Sequence, residues 1–144
     1  MGGPAQEFLD RIAGALAARP EVLEAYLFGS QARGEAQAHS DVDVAVYLDP
    51  RAPDCTAFGL DAEIAADLMR ALGRNDVDLV VLGRADPVLH HRVLRDGVRL
   101  LSRDLRATTT REGYALSRYC DYVPQLEKIR AARERRWDRG EFGK

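Results

Sequence analysis

The run Asp41-Val42-Asp43-Val44-Ala45-Val46-Tyr47-Leu48 sets two carboxylates at the head of a valine-rich, apolar segment. Such a segment reads as a buried strand. In a strand, residues i and i+2 project to one face, so Asp41 and Asp43 point the same way and Val42 points to the other. Like charges that close repel, and one carboxyl must hold a proton unless a cation lies between them. Any fold for this chain must therefore put the head of that strand where a hard cation can reach it. Magnesium suits the requirement, because it takes oxygen ligands and commonly uses one or two carboxylates completed by substrate phosphates.

The surrounding pattern supplies the frame. Phe8, Leu9, Ile12 and Leu16 recur at helical spacing, and Arg19-Pro20 ends that helix. Glu24 to Gly29 is a short apolar run closed by glycine, read as a strand, and Ser30 is read as the cap of a short helix through Arg33. The two prolines of Asp49 to Cys55 mark a loop. Leu60, Ile64, Leu68 and Leu72 give an amphipathic helix with Gly73 near its end. Val77 to Leu82 is a third strand, Asp86-Pro87 to Gly97 a punctuated helix, and Val98 to Leu101 a further short strand. From about Asp104 the chain is helical, with Leu116, Tyr119, Val123, Leu126 and Ile129 as its apolar stripe and Pro124 bending or interrupting it. This order implies an α/β (α+β) fold, a small mixed β-sheet flanked by helices with a C-terminal helix. At 144 residues the expectation is a single domain over 1–144, its core about 20–102 and its C-terminal helical segment about 104–138.

Asp78 interrupts Val77 to Leu82 much as Asp41 and Asp43 head the second strand. With those strands adjacent, three carboxylates could hold two metal ions roughly 4 Å apart, the clamp that stabilises attacking and leaving oxygens in phosphoryl chemistry. Asp76, beside Asn75, is better explained by a turn. Gly29-Ser30 complements the acids: glycine lets a phosphate approach the backbone, helix-start N–H groups face an anion, and the Ser30 hydroxyl donates one more bond. Arg33, about one turn later, balances triphosphate charge. Gly-Ser alone is a turn and Asp-x-Asp alone a cap. Gly-Ser, ten residues, then Asp-x-Asp arises by chance in such a chain only about two times in a thousand at average residue frequencies.

The segment Gly29 to Val46 resembles the signature of the nucleotidyltransferase superfamily with the DNA polymerase β fold. The short chain is similar to its minimal nucleotidyltransferase (MNT) type, encoded beside HEPN-domain proteins. The likeness runs from the first strand through Val77 to Leu82 and Leu94 to Leu101, and more weakly into Tyr119 to Arg133. It implies metal-binding and catalytic roles for Asp41, Asp43 and Asp78, and nucleotide binding by Gly29, Ser30 and Arg33. It also implies Mg2+, in two ions, as cofactor and ATP as substrate. Relatives of this type are antitoxins that transfer AMP from ATP to a tyrosine of a HEPN ribonuclease toxin and form a complex with it. The other readings are a small-molecule, aminoglycoside-type nucleotidyltransferase, which usually carries an added substrate domain, and a non-catalytic antitoxin that acts by binding alone.

Composition narrows the partners. Lys plus Arg number 21 against 23 Asp plus Glu, so the basic excess usual for duplex binding is absent and direct nucleic-acid binding is not expected. Cys55 and Cys120 lack metal-ligand or disulfide spacing and read as reduced thiols. With no signal-peptide pattern and no apolar run near the roughly 20 residues that span a bilayer, the expected location is the cytoplasm. His39 reads as a loop residue; His90 and His91, adjacent on a helix and expected to be exposed, receive no role. Tyr114, Tyr119 and Tyr122 are read as packing or surface residues of the last helix. The tail from Lys128 carries seven basic and three acidic residues around Trp137, either a solvated helix end or a docking surface.

Overall fold

The computed structural model describes residues 6–33, 41–52 and 59–138. Helix α1 (Gln6–Ala17) leads into strand β1 (Val22–Phe28), the short helix α2 (Gly29–Arg33) and strand β2 (Val42–Leu48). Helix α3 (Leu60–Leu72), strand β3 (Val77–Val81), a 3-10 turn (Leu82–Arg84), helix α4 (Pro87–Asp96), strand β4 (Val98–Ser102) and helix α5 (Leu105–Asp138) follow. The sheet runs β3-β2-β1-β4. β1 is antiparallel to β2 and β4, and β2 is parallel to β3, so the sheet is mixed, as the sequence implied.

Periodicity decides which face each helix buries. Ile12 and Leu16 of α1, with Leu60, Ile64 and Leu68 of α3, pack on Val22, Ala25 and Leu27 of β1 and Val42, Val44 and Val46 of β2. Fully burying each such Val, Leu or Ile side chain contributes about 1.5–3 kcal/mol. The opposite face carries Tyr26, Phe28 and Ala45, covered by Leu82 and by Val93, Leu89 and Leu94 of α4. Helix ends follow local chemistry. Gly73 closes α3 in the left-handed conformation at φ 67°. Asp86 caps α4 by accepting from the Leu89 N–H at 2.8 Å, with Pro87 in the first turn. Arg103 reaches back from beyond β4 and donates to the carbonyls of Val22, Ala17 and Arg19 at 2.7, 3.0 and 2.9 Å; of these, Ala17 ends α1, where the last carbonyls lack helical partners.

Three local expectations are corrected. β1 starts at Val22 rather than Glu24. α2 begins at Gly29, so Ser30 lies within its first turn instead of capping it. α5 runs unbroken through Pro124 over 34 residues; the proline removes one N–H from the ladder without ending the helix. His39, Cys55 and the loop from Pro53 to Cys55 lie outside the described residues.

Candidate active site

β1 and β2 pair so that Phe28 faces Asp43, and Gly29 follows directly at φ 75°. A Cβ at Gly29 would lie 2.3 Å from Asp43 Oδ2 and 3.2 Å from its Cγ. The Asp43 carboxylate therefore occupies the space a side chain would need, and the left-handed turn further excludes other residues. Glycine is required here twice, once by backbone and once by its neighbour. The adjoining α2 carries Ser30 in its first turn and Arg33 at its last position; the Arg33 side chain lies outside the described residues.

Across the other edge of β2, Asp43 is the register partner of Asp78 on β3. Parallel register partners lie about 4.8 Å apart with side chains on the same face. Asp41, two residues before Asp43, stands just ahead of β2. The three carboxylates thus belong to one corner of the sheet, beside Gly29. Asp41 and Asp78 are exposed and Asp43 is half-buried. The exposure of Asp78 follows from its place: β3 is an edge strand, so an acid near its start stays in water. Among the described residues no three His, Cys, Asp or Glu side chains converge to enclose one ion.

Asp76 has a different task. Arg74 grips it with a bidentate fork at 2.5 Å on both arms, and its backbone carbonyl accepts from the Val42 N–H at 2.8 Å. The Arg74 hydrogen bond holds the Asp76 carboxyl below its usual range. The bond to Asp76 likewise raises the Arg74 guanidinium, against a desolvation cost, with a smaller contribution from the charge of Asp41. Asp76 is thus the structural acid of the β3 entry, and Arg74 sets a positive charge near Asp41. Sequence reasoning missed that arginine; its nearness follows from the 74–76 turn folding back under the start of β2.

On the same sheet face but away from the carboxylates, Glu24, Tyr26, Tyr47, His90, Arg111 and Arg118 line a cavity of about 210 Å³, and none of the site residues borders it. Glu24 is 2% exposed and pairs with Arg111, whose guanidinium lies 4.5 Å from the centroid of the Tyr47 ring. Tyr26 donates to Glu112 at 2.7 Å, and Arg99 donates to both Glu112 oxygens at 2.8 and 2.9 Å. Burial, then the Glu112 hydrogen bond, raise the Tyr26 phenol well above its ordinary value. Burial pushes Glu112 up, but the bonds from Arg99 and Tyr26 outweigh it and leave the carboxyl below its ordinary value. His90 and His91 are half-buried, not exposed as expected. Burial and the Arg118 charge lower His90, while His91 stacks on Tyr119 at 3.7 Å between centroids. Cys120 is an exposed free thiol. No helix among the described residues is long and apolar enough to cross a membrane.

The sequence model described as "Polymerase beta, Nucleotidyltransferase" matches residues 10–106, two-thirds of the chain. Three solved structures illustrate the likeness. A toxin–antitoxin crystal structure with AMP-PNP is 27% identical, with a TM-score of 0.59, covering 90% of this chain and 95% of that one. A tri-AMPylated Shewanella oneidensis HEPN toxin in complex with MNT antitoxin is also 27% identical, with a TM-score of 0.62 and coverages of 90% and 95%. The toxin–antitoxin MntA-HepT is 25% identical, with a TM-score of 0.56 and coverages of 93% and 97%. Among curated protein sequences none matches. The family match covers the strand pair, the glycine turn and all three carboxylates, and this chain belongs to the polymerase β-type nucleotidyltransferase family.

Proposed function

We propose that this chain is an antitoxin nucleotidyltransferase that moves AMP from Mg–ATP to a tyrosine hydroxyl of a partner HEPN toxin, and that residues 1–144 form one domain for that task. The observation that carries the reading is the corner where Asp43, seated on side-chain-free Gly29, lies in register with Asp78. The solved relatives with AMP-PNP and with an AMPylated HEPN toxin support the donor and the acceptor.

The donor set fits magnesium: three carboxylates supply hard oxygens on neighbouring strands. Phosphate oxygens of the nucleotide would supply the rest of such an ion's oxygen ligands. When bound, the ion neutralises phosphate charge and lowers the pKa of the attacking hydroxyl. Asp41 and Asp43 hold the nucleotide side of the site, and Asp78, on the exposed edge strand, faces the acceptor. Gly29 and Ser30 give the β- and γ-phosphates close backbone approach and a hydroxyl donor, and Arg33 is assigned to their charge. The acceptor oxygen attacks the α-phosphorus in line; its bond to phosphorus forms as the bond to the β-phosphate oxygen breaks. Pyrophosphate carries away the electron pair, and the hydroxyl proton passes to Asp78.

The test is incubation with α-labelled ATP, magnesium and the co-encoded HEPN-domain protein, followed by mass measurement. AMP should appear on a partner tyrosine. Asp43→Asn should lower the rate at least about 100-fold, since the charge stabilisation removed is worth several kcal/mol, with the thermal midpoint preserved. An unmodified partner, or undiminished labelling by the variant, would sink the reading.

A further inference from the structure

The cavity at the root of α5 has no part in AMP transfer. Tyr47 on its wall stands four residues beyond Asp43 on β2, about 13 Å at 3.3 Å per residue. The fully buried Ala45 lies between them on the same face. The cavity measures about 210 Å³, more than the roughly 150 Å³ that admits a benzene ring. It therefore takes one aromatic ring with a small substituent.

Most of the charge on its walls is matched within the protein. Arg111 holds Glu24, and Arg99 and Tyr26 hold Glu112. Two lining groups are left over. The Arg118 guanidinium, half-buried on α5, makes no hydrogen bond or ion pair among the described residues. The Nδ1 atom of His90, on α4, is buried and finds no hydrogen-bond partner, a condition that native structures rarely leave without a reason. Burial and the Arg118 charge leave this imidazole neutral near pH 7, and its one N–H can sit on Nδ1. A cation and a donor thus border a space walled by Tyr26, Tyr47 and Leu82.

We infer that this cavity is a second ligand site, separate from the carboxylate corner, for a small aromatic monoanion of the benzoate kind. Its carboxylate accepts from Arg118 and from His90 Nδ1, and its ring lies against the tyrosine walls, where aromatic pairs gain beyond the area they bury. Arg118 is the one uncompensated cation among the described lining residues, so it matches one negative charge. A phosphate or polyphosphate would set further charge against Glu24 and Glu112. A ligand so placed ties α4 to α5 through His90 and Arg118, and the site stands apart from AMP transfer.

The test titrates the full chain with benzoate, and with benzamide, acetate and inorganic phosphate for comparison, by calorimetry and amide NMR shifts. A ligand of about nine heavy atoms should bind with a dissociation constant of about 1 mM or tighter, and the shifts should centre on Gly83 and His90. Benzamide, acetate and phosphate should each bind at least about tenfold more weakly. Arg118→Met should weaken benzoate at least about tenfold, and His90→Phe, which keeps the ring volume, about threefold. Mg–ATP binding should be unchanged in both variants. No benzoate binding at about 10 mM, equal binding of phosphate or acetate, or wild-type benzoate affinity in both variants overturns the site. Competition between Mg–ATP and benzoate also overturns it, by giving the cavity to the nucleotide. Each of these outcomes leaves AMP transfer to be decided by the labelling of the partner tyrosine.

Discussion

Gly29 and Asp43 behave as one unit, because the carboxylate of the second fills the space that a side chain on the first would need. Gly29→Ala should therefore cost about 1–2 kcal/mol for the left-handed backbone alone, and displacing Asp43 should also remove transfer; calorimetric melting and AMP incorporation check the two separately. Asp76→Asn offers the contrast. It loses the ionic fork with Arg74 and should lower the melting temperature slightly while AMP transfer persists; loss of transfer would move Asp76 into the site. The acids were legible in the sequence because a two-residue strand period puts Asp41 and Asp43 together without any knowledge of the fold. Glu24 was not. Its buried charge is matched by Arg111, 87 residues away, and no local pattern announces a partner at that distance. Nor did the sequence reveal that Gly29 is needed for the shape of Asp43 as well as for phosphate approach.

At the scale of elements, α5 is held to the body by polar groups as well as by the buried Ala115. Glu112 is central, bonded by Tyr26 and doubly by Arg99. Because its folded pKa lies below the ordinary 4.5, its stabilisation is complete above that value and is lost as pH falls through the lower, folded one. Glu112→Gln should be less stable than wild type near neutrality by on the order of 1–2 kcal/mol. That gap should close as the pH drops well below 4.5, as paired melting curves would show; a gap independent of pH would remove the carboxylate from the account. The elements themselves were readable from apolar spacing and from Gly and Pro punctuation. What escaped was continuity at Pro124: a long helix retains enough bonds on both sides to carry one missing donor, so the residue that signals a break in a short helix did not produce one here.

For the molecule as a whole, the division of labour is spatial: two cores on the two sheet faces, a carboxylate corner at the end of β1, and a helix that outruns the body. Deleting residues from Cys120 onward should leave unfolding free energy within about 1 kcal/mol of wild type and leave Mg–ATP binding intact, measured by melting and calorimetry. A collapse of the fold would show that the far half of α5 holds the body together. The mixed sheet could be inferred from the order of elements, but its strand order could not, because β1 pairs with β2 nearby and with β4 only after a long excursion. That arrangement has a consequence for biosynthesis. As the nascent chain leaves the ribosome, β1 finds β2 early, yet its other edge stays bare until Val98–Ser102 emerges. During that interval a seven-residue hydrophobic edge is open to illegitimate pairing, so growth temperature and chaperone supply should govern the soluble yield of this protein more than its final stability does.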